Sequence, residues 1–277
     1  MKGFISLLKA LLRTPHGVLG LVGVCLLMVI AVFGPSVAPQ DPESFNYGAR
    51  FASPSAAHLL GTDWYGRDLF SRVLAGAQST ILLAILATVI GTVSGTLVGI
   101  VSGYIGGRTD EITMRIIDAL MAIPGLLFAL MIIAVLGSSS LNAVLAIGIA
   151  FAPGMARIAR SVTLQVRSTD YVAAARSRGE GGAWIVLAEI LPNVIAPVIV
   201  EATIRVAFAI MTLATLSFLG LGAQPPAPEW GLMIAEARDH LFRSPWPVIV
   251  PGGAIALVAI SFNLLGDGLR DALNPRA

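Results

Sequence analysis

Six stretches of this chain, at 17–37, 81–104, 119–136, 141–159, 194–221 and 248–265, are apolar for about the 20 residues a helix needs to cross a hydrocarbon core of about 30 Å. Six such runs read as the spans of a polytopic membrane protein. Composition agrees. The 277 residues are 56% hydrophobic and 12% charged, with a mean hydropathy of +0.84, against about 25% charged in a soluble domain. The sequence therefore predicts one all-α polytopic membrane protein with six transmembrane helices. Gly91, Gly95, Gly99 and Gly103 recur at four-residue steps, a spacing that lets helix backbones approach closely in lipid.

Lys and Arg set the orientation. With the N-terminus in the cytoplasm, the inner segments hold 12 of them: Lys2, Lys9, Arg13, Arg108, Arg115, Arg157, Arg160, Arg167, Arg176, Arg178, Arg270 and Arg276. The outer segments hold 5 (Arg50, Arg67, Arg72, Arg238 and Arg243), so both termini are expected in the cytoplasm. Trp64, Trp230 and Trp246 then fall on the outer side, where ring and N–H can share the interface. The net charge of +2 gives no argument for nucleic acid. Cys25 is the one cysteine and lies within an apolar run, so no intrachain disulfide forms.

The predicted organisation begins with a cytoplasmic interfacial helix over 1–16, basic on one face and ended by Pro15. The stretch 17–37 follows as an anchor. A small-x-small site at Ser36–Ala38 exists, but the apolar run before it exceeds the 7–15 residues of a signal sequence. Residues 38–80 form an outer segment, loop first and then helix. Residues 81–270 form a five-helix core with a cytoplasmic loop at 161–192 and an outer loop at 222–247. The front of the latter is stiffened by proline, and the rest of it holds a short amphipathic helix read from Leu232, Ala235, Glu236, Asp239 and Phe242. Residues 271–277 are a cytoplasmic tail.

Glu201 and Arg205 are the ionisable residues well inside a span, four apart with Glu first, the favourable order for a pair along a helix. Charges at the bilayer centre cost about 2.5–3.5 kcal/mol each, so they face protein or water. Two readings stand: a pore-facing pair that meets zwitterionic peptide termini, or a local bridge within the bundle or toward a partner subunit. Asp118 and Asp267 lie near span ends and read as wet. His16, His58 and His240 are far apart and outside the spans, and no metal cluster is expected.

The most informative polar stretch is "TDYVAAARSRGEGGAWIVLAEILPNVIAP", 169–197. Thr169 or Asp170 can cap a short helix that begins at Tyr171 and runs through three alanines. Gly179 stands where a left-handed C-terminal residue is expected. A second short helix, about 183–191, presents an apolar face, and Pro192 resets the backbone into the fifth span. The first helix is about 12 Å long, too short to be stable alone, so something packs on it.

This stretch resembles the "EAA" loop of permease subunits in binding-protein-dependent ABC importers, E-A-A-x3-G-x9-I-x-L-P. Ala174, Ala175, Gly179, Leu191 and Pro192 match in type and spacing. Ala173 replaces the family Glu, removing a carboxylate that would complete a capping box with Asp170, and Glu189 replaces the Ile. The blocks at 58–81, 114–124, 217–234 and 262–276 extend the likeness over nearly the whole chain. They are similar to the dipeptide, oligopeptide and nickel branch, to the permease type found there as the second subunit. The resemblance implies a type I importer permease fold that forms half of a translocation pathway. It also implies a second, different permease, two cytoplasmic ATPases, an extracytoplasmic solute-binding protein and alternating access. Asp170, Tyr171, Ala174, Ala175, Arg176, Arg178, Gly179, Leu191 and Pro192 become the ATPase-coupling residues, with peptides expected as cargo and nickel or another small solute as the alternative. No catalysis and no cofactor are expected on this chain; ATP and Mg would sit on the ATPases. The residues support one part unaided: Lys2 and Lys9 are the only lysines, so no Walker A lysine exists here. The competing class, an ion-coupled carrier, calls for internal repeats and several intramembrane carboxylates. An intramembrane protease calls for a histidine at depth or H-E-x-x-H.

Overall fold

The structure, a computed structural model, describes residues 10–273. Most of the expected interfacial helix over 1–16, and the end of the tail, lie outside the described residues. The elements are α1 (Pro15–Val37), α2 (Leu69–Ile105), α3 (Gly107–Met121), α4 (Gly125–Leu136), α5 (Ser140–Arg167), α6 (Asp170–Ser177), α7 (Gly182–Ile185), α8 (Leu191–Phe218), α9 (Trp230–Ala237) and α10 (Trp246–Leu273). Short 3₁₀ turns occupy Tyr47–Ala49 and Arg238–His240. Segments 38–68 and 219–245 gather at one end of the bundle, the cap end; α6 and α7 lie at the other, the short-helix end.

Helix starts follow local chemistry. Thr14 Oγ1 accepts from Gly17 N at 3.2 Å ahead of Pro15, and Asp68 accepts from Ser71 N at 2.8 Å ahead of α2. At 37 residues α2 is about 55 Å long, so it outruns the hydrocarbon core and carries its first turns into the cap.

Five helices are long and apolar enough to cross a membrane, and α3 with α4 makes the sixth crossing only as a pair bent by 91°. The unbroken third span expected over 119–136 is thus corrected. Pro124 has no N–H to donate and its ring disfavours the helical region for the residue before it, so α3 ends at Met121 and Pro124 itself is extended, at φ −53° and ψ 130°. The 12 residues of α4 reach about 18 Å, too short to cross alone.

A second correction concerns Pro192. The expected break between a helix at 183–191 and the fifth span is missing: Gly182–Phe218 is one continuous helical run of 37 residues. Residues Val186–Ile190 adopt a π turn in which Leu191 N donates to Val186 O. The wider turn absorbs both the missing proline donor and the clash of its ring with the turn before.

Packing is closest where glycines face backbone. A Cβ on Gly95 or Gly99 would lie 2.3 Å from the carbonyl oxygen of Ala152 or Ala156, so α2 and α5 run side by side with almost no side chain between them. Ala77, Ala84 and Ala87 of α2, Ala143 and Ile147 of α5, and Ile210 and Leu213 of α8 fill the core above this seam. Leu19, Val22, Leu26, Val29 and Phe33 of α1 point outward, as a lipid-facing helix requires.

Candidate functional site

At the short-helix end, α6 lies across the bases of α2, α5 and α8. Val172 and Ala175, three apart and so on one face, bury fully against Ile185, Ile190 and Val194, with Met155, Ala159 and Val166 of α5 beside them. The helix stops in a Schellman turn: Glu180 N donates to Ala175 O at 3.2 Å, Gly179 N to Arg176 O at 2.9 Å, and Gly179 has φ 80°. The expected caps differ. Thr169 is the cap residue, but its hydroxyl turns back to donate to Val166 O at 2.6 Å, and Asp170 occupies the first helical position. Ala173 N donates to Thr169 O, so residue 173 is the fourth helical residue and a carboxylate there would not complete a box with Asp170.

The opposite face of α6 is bare. Asp170, Tyr171, Ala173, Ala174, Arg176, Ser177 and Arg178 are exposed, and Trp184 and Leu187 of the adjoining turn extend the surface. Arg176 leans on the Tyr104 ring at 5.7 Å, and Arg178 sits 3.8 Å from Glu180. Asn193 Nδ2 donates to Glu189 O at 2.7 Å and lies 3.4 Å from Tyr171 Oη, joining α6 to the start of α8. Leu191 is half-buried and Pro192 exposed at this junction. The site is supported from behind, where Arg160 grips Asp110 with two bonds of 2.5 and 2.6 Å. Arg157 pairs with Asp118 at 2.6 Å on the exposed surface.

Glu201 and Arg205 sit 10 and 14 residues beyond Leu191 on the same helix, about 15–21 Å from the loop. Their side chains are 3.0 Å apart, and both border a cavity of about 390 Å³ between α4, α5 and α8. Loop and pair are thus separate sites carried by one helical run.

Sequence reasoning missed the cap. Arg67 and Arg72 entered it only as outer-side charges, yet they are 2% and 1% exposed. Arg67 Nε donates to Asp63 at 2.6 Å and its Nη2 to Glu236 at 2.6 Å, across 169 residues of chain. Arg72 lies 3.5 Å from Glu236 and donates to Pro42 O at 2.8 Å and Pro226 O at 3.3 Å. Two cations and two carboxylates therefore lock segment 38–68 to α9. Gly66, at φ 76°, passes so close to Asn46 that a Cβ would lie 1.7 Å from its carbonyl oxygen. The available signal was the Asp63–Arg67 and Asp68–Arg72 spacing beside an apolar helix; Glu236 left none.

Two readings of this region need correcting. Trp230 is no interfacial anchor: it is buried, with Nε1 donating to Val73 O at 3.0 Å, because α9 turns back onto the top of α2. The amphipathic stripe ends at Ala237, and Asp239 and Phe242 lie beyond the helix, exposed. Glu229 caps α9, accepting from Gly231 N at 3.0 Å and Leu232 N at 2.9 Å. No cation among the described residues pairs with it, so burial pushes its carboxyl above the ordinary range, although those N–H groups pull the other way. Of the histidines, His58 pairs with Asp68 at 3.0 Å and His240 stacks on Trp64 at 4.3 Å.

Comparison with known proteins places these features in context. The family model described as "Binding-protein-dependent transport system inner membrane component" matches residues 95–277, and that for the "N-terminal TM domain of oligopeptide transport permease C" matches 6–54. The chain is 43% identical over 264 residues to the "Probable D,D-dipeptide transport system permease protein" of Escherichia coli (strain K12), covering 95% of this chain and 89% of that one. It is 45% identical over 254 residues to a glutathione transport system permease protein of Escherichia coli (strain UTI89 / UPEC), covering 91% and 84%. Among solved structures, an inward-facing methionine ABC transporter shares the fold with a TM-score of 0.59 at 17% identity, over 73% of this chain and 96% of that one.

Proposed function

The chain belongs to the family of binding-protein-dependent transport system inner membrane components, a multi-pass permease subunit, and from that premise we propose that it forms half of an ATP-driven import pathway for peptides. The observation that carries the coupling role is the eight-residue α6, bare on one face and clamped on the other to the base of the 37-residue run that ends at Phe218. Such a helix is a handle. A partner that grips Tyr171, Ala174, Arg176 and Arg178 moves Val172 and Ala175 against Ile190 and Val194, and so tilts α8, which carries Glu201 and Arg205. The core resists continuous deformation, so the handle rocks the spans as a rigid unit between two packings. The gripping partner is a cytoplasmic ATPase, one of two, and the remaining partners are a second, homologous permease and an extracytoplasmic solute-binding protein. The Lys/Arg asymmetry supports a cytoplasmic location for α6 and both termini. Relatives named for D,D-dipeptides and glutathione support peptide cargo over nickel or another small solute.

The test is to purify the tagged chain in mild detergent and, with Cys25→Ser, to place a cysteine at Ser177. ATPase chains are expected to co-purify in fixed ratio and to crosslink to position 177. Labelling of that position from the outer face of sealed cells, or a preparation without any nucleotide-hydrolysing chain, would end this reading.

A further inference from the structure

Two cavities follow one another along α8, and Glu201 borders both. The first, of about 390 Å³, is bounded by Gly125 and Leu126 at the broken span, by Phe151 of α5 and by Arg205 and Thr212. The second, of about 410 Å³, lies past Glu201 and is bounded by Ala196, Pro197 and Arg270. From Thr212 to Ala196 the file is about 24 Å long, most of the depth of a hydrocarbon core.

The pair does not behave as a structural bridge. Both charges ride the same helix, so their 3.0 Å contact ties no two elements together. Arg205 leans over the Phe151 ring at 5.2 Å, and Gly154 makes the space, since a Cβ there would lie 2.5 Å from Nη2. Its Nε is buried with no hydrogen-bond partner among the described residues. A guanidinium has five donors and a carboxylate about four acceptor positions. Here each spends one on the other, at membrane depth, where unmet polar capacity is costly. Both side chains line the first cavity, and Glu201 also lines the second.

We propose that Glu201 and Arg205 form a charge-reading station between the two cavities, engaging a cargo that carries both a carboxylate and an ammonium. The inference rests on the importer reading above. As cargo passes, its carboxylate takes Arg205 and its ammonium takes Glu201, so two ion pairs replace one and no charge is left alone in the low dielectric. A cargo blocked at either end strands one member of the pair, and discrimination against it follows from that unpaired group.

The experiment uses the intact complex in lipid nanodiscs, with Cys25→Ser and single cysteines at Thr212, Ala196 or Met211, the last being exposed and outside the lining of both cavities. Anionic and cationic methanethiosulfonate reagents report water access and local charge. Positions 212 and 196 should react at least about tenfold faster than 211. Glu201→Gln should shift the anionic-to-cationic rate ratio at 212 upward about five- to tenfold and Arg205→Gln downward as much, while Glu201→Asp keeps the original ratio. Alanyl-alanine should slow labelling at 212 more than its N-acetyl or amide form does. Equal rates at 211 and 212, or an unmoved ratio, would place the pair against lipid or a subunit and overturn the station. Equal protection by the three peptides, or none, would overturn the zwitterion assignment. Loss of the ATPase from the complex sinks the importer reading instead, whatever the labelling shows.

Discussion

The two ends of this bundle both carry arginines and use them oppositely. At the cap end Arg67 and Arg72 are buried, each facing two carboxylates drawn from distant parts of the chain. At the short-helix end Arg176 and Arg178 lie on a bare surface with at most one loose partner. A buried charge is tolerable only when fully paired, so the cap arginines are committed to holding 38–68 and α9 together. Exposed arginines hold little in the monomer and remain free for another protein. One end is closed on itself and the other left open.

The comparison breaks most visibly at Arg67. Arg67→Ala leaves the buried Asp63 and the half-buried Glu236 with Arg72 alone to serve both, and should cost about 3–5 kcal/mol. Thermal unfolding in detergent would show it, together with new protease cutting between 38 and 68. Removing Arg176 and Arg178 together should leave that transition within about 0.5 kcal/mol. Equal losses at the two ends would mean the distinction is false.

Between the ends runs the α2–α5 seam, where the two backbones pack with almost no side chain between them. Gly95→Val drives side-chain atoms into a position 2.3 Å or less from the Ala152 carbonyl oxygen, and about 1–3 kcal/mol should be lost. Gly253→Val, also inside a helix, is the matched control, since a Cβ there meets nothing within 4 Å. A seam that tolerated the Gly95→Val change would be loosely packed, and the contrast between tight middle and open end would lose its basis.

Glu229 sharpens the contrast within the cap itself, as a buried carboxylate served by N–H groups but by no arginine among the described residues. Its folded-state pKa lies above the ordinary 4.5, so the folded protein holds the proton more firmly than the unfolded chain. Stability should therefore fall as pH rises from about that value toward the raised one, and level off above it. Glu229→Gln should flatten this slope in a pH series of melting curves. A slope that survives the change belongs to other groups.

The legibility of the two ends differs for the same physical reason. Long apolar periods are local, so α1, α2, α5, α8 and α10 could be read from the sequence, as could the left-handed Gly179. The outward arginines of α6 were legible too, because an eight-residue amphipathic helix displays its faces in its own sequence. The cap was not: Arg67 meets Glu236 across 169 residues, and no local pattern announces that closure. The break at Pro124 and the continuity through Pro192 show the same limit. A proline can end a helix, as Pro124 does, or be carried within one, as Pro153, Pro197 and Pro251 are, and its own sequence does not decide between them.

The smallest effect tests what the open end is for. Ala173→Glu restores the family carboxylate on the bare face of α6. Because Thr169 caps the helix and residue 173 lies fourth within it, no capping box forms, and the dipole alone should add at most about 0.3 kcal/mol. A carboxylate that acted through helix onset would leave partner binding in step with that small change. One that acts by touching the ATPase should alter its retention on the complex by about two- to fivefold while the melting curve stays put. Separating the two readouts in one variant therefore decides whether the missing carboxylate was a part of the helix or a part of the grip.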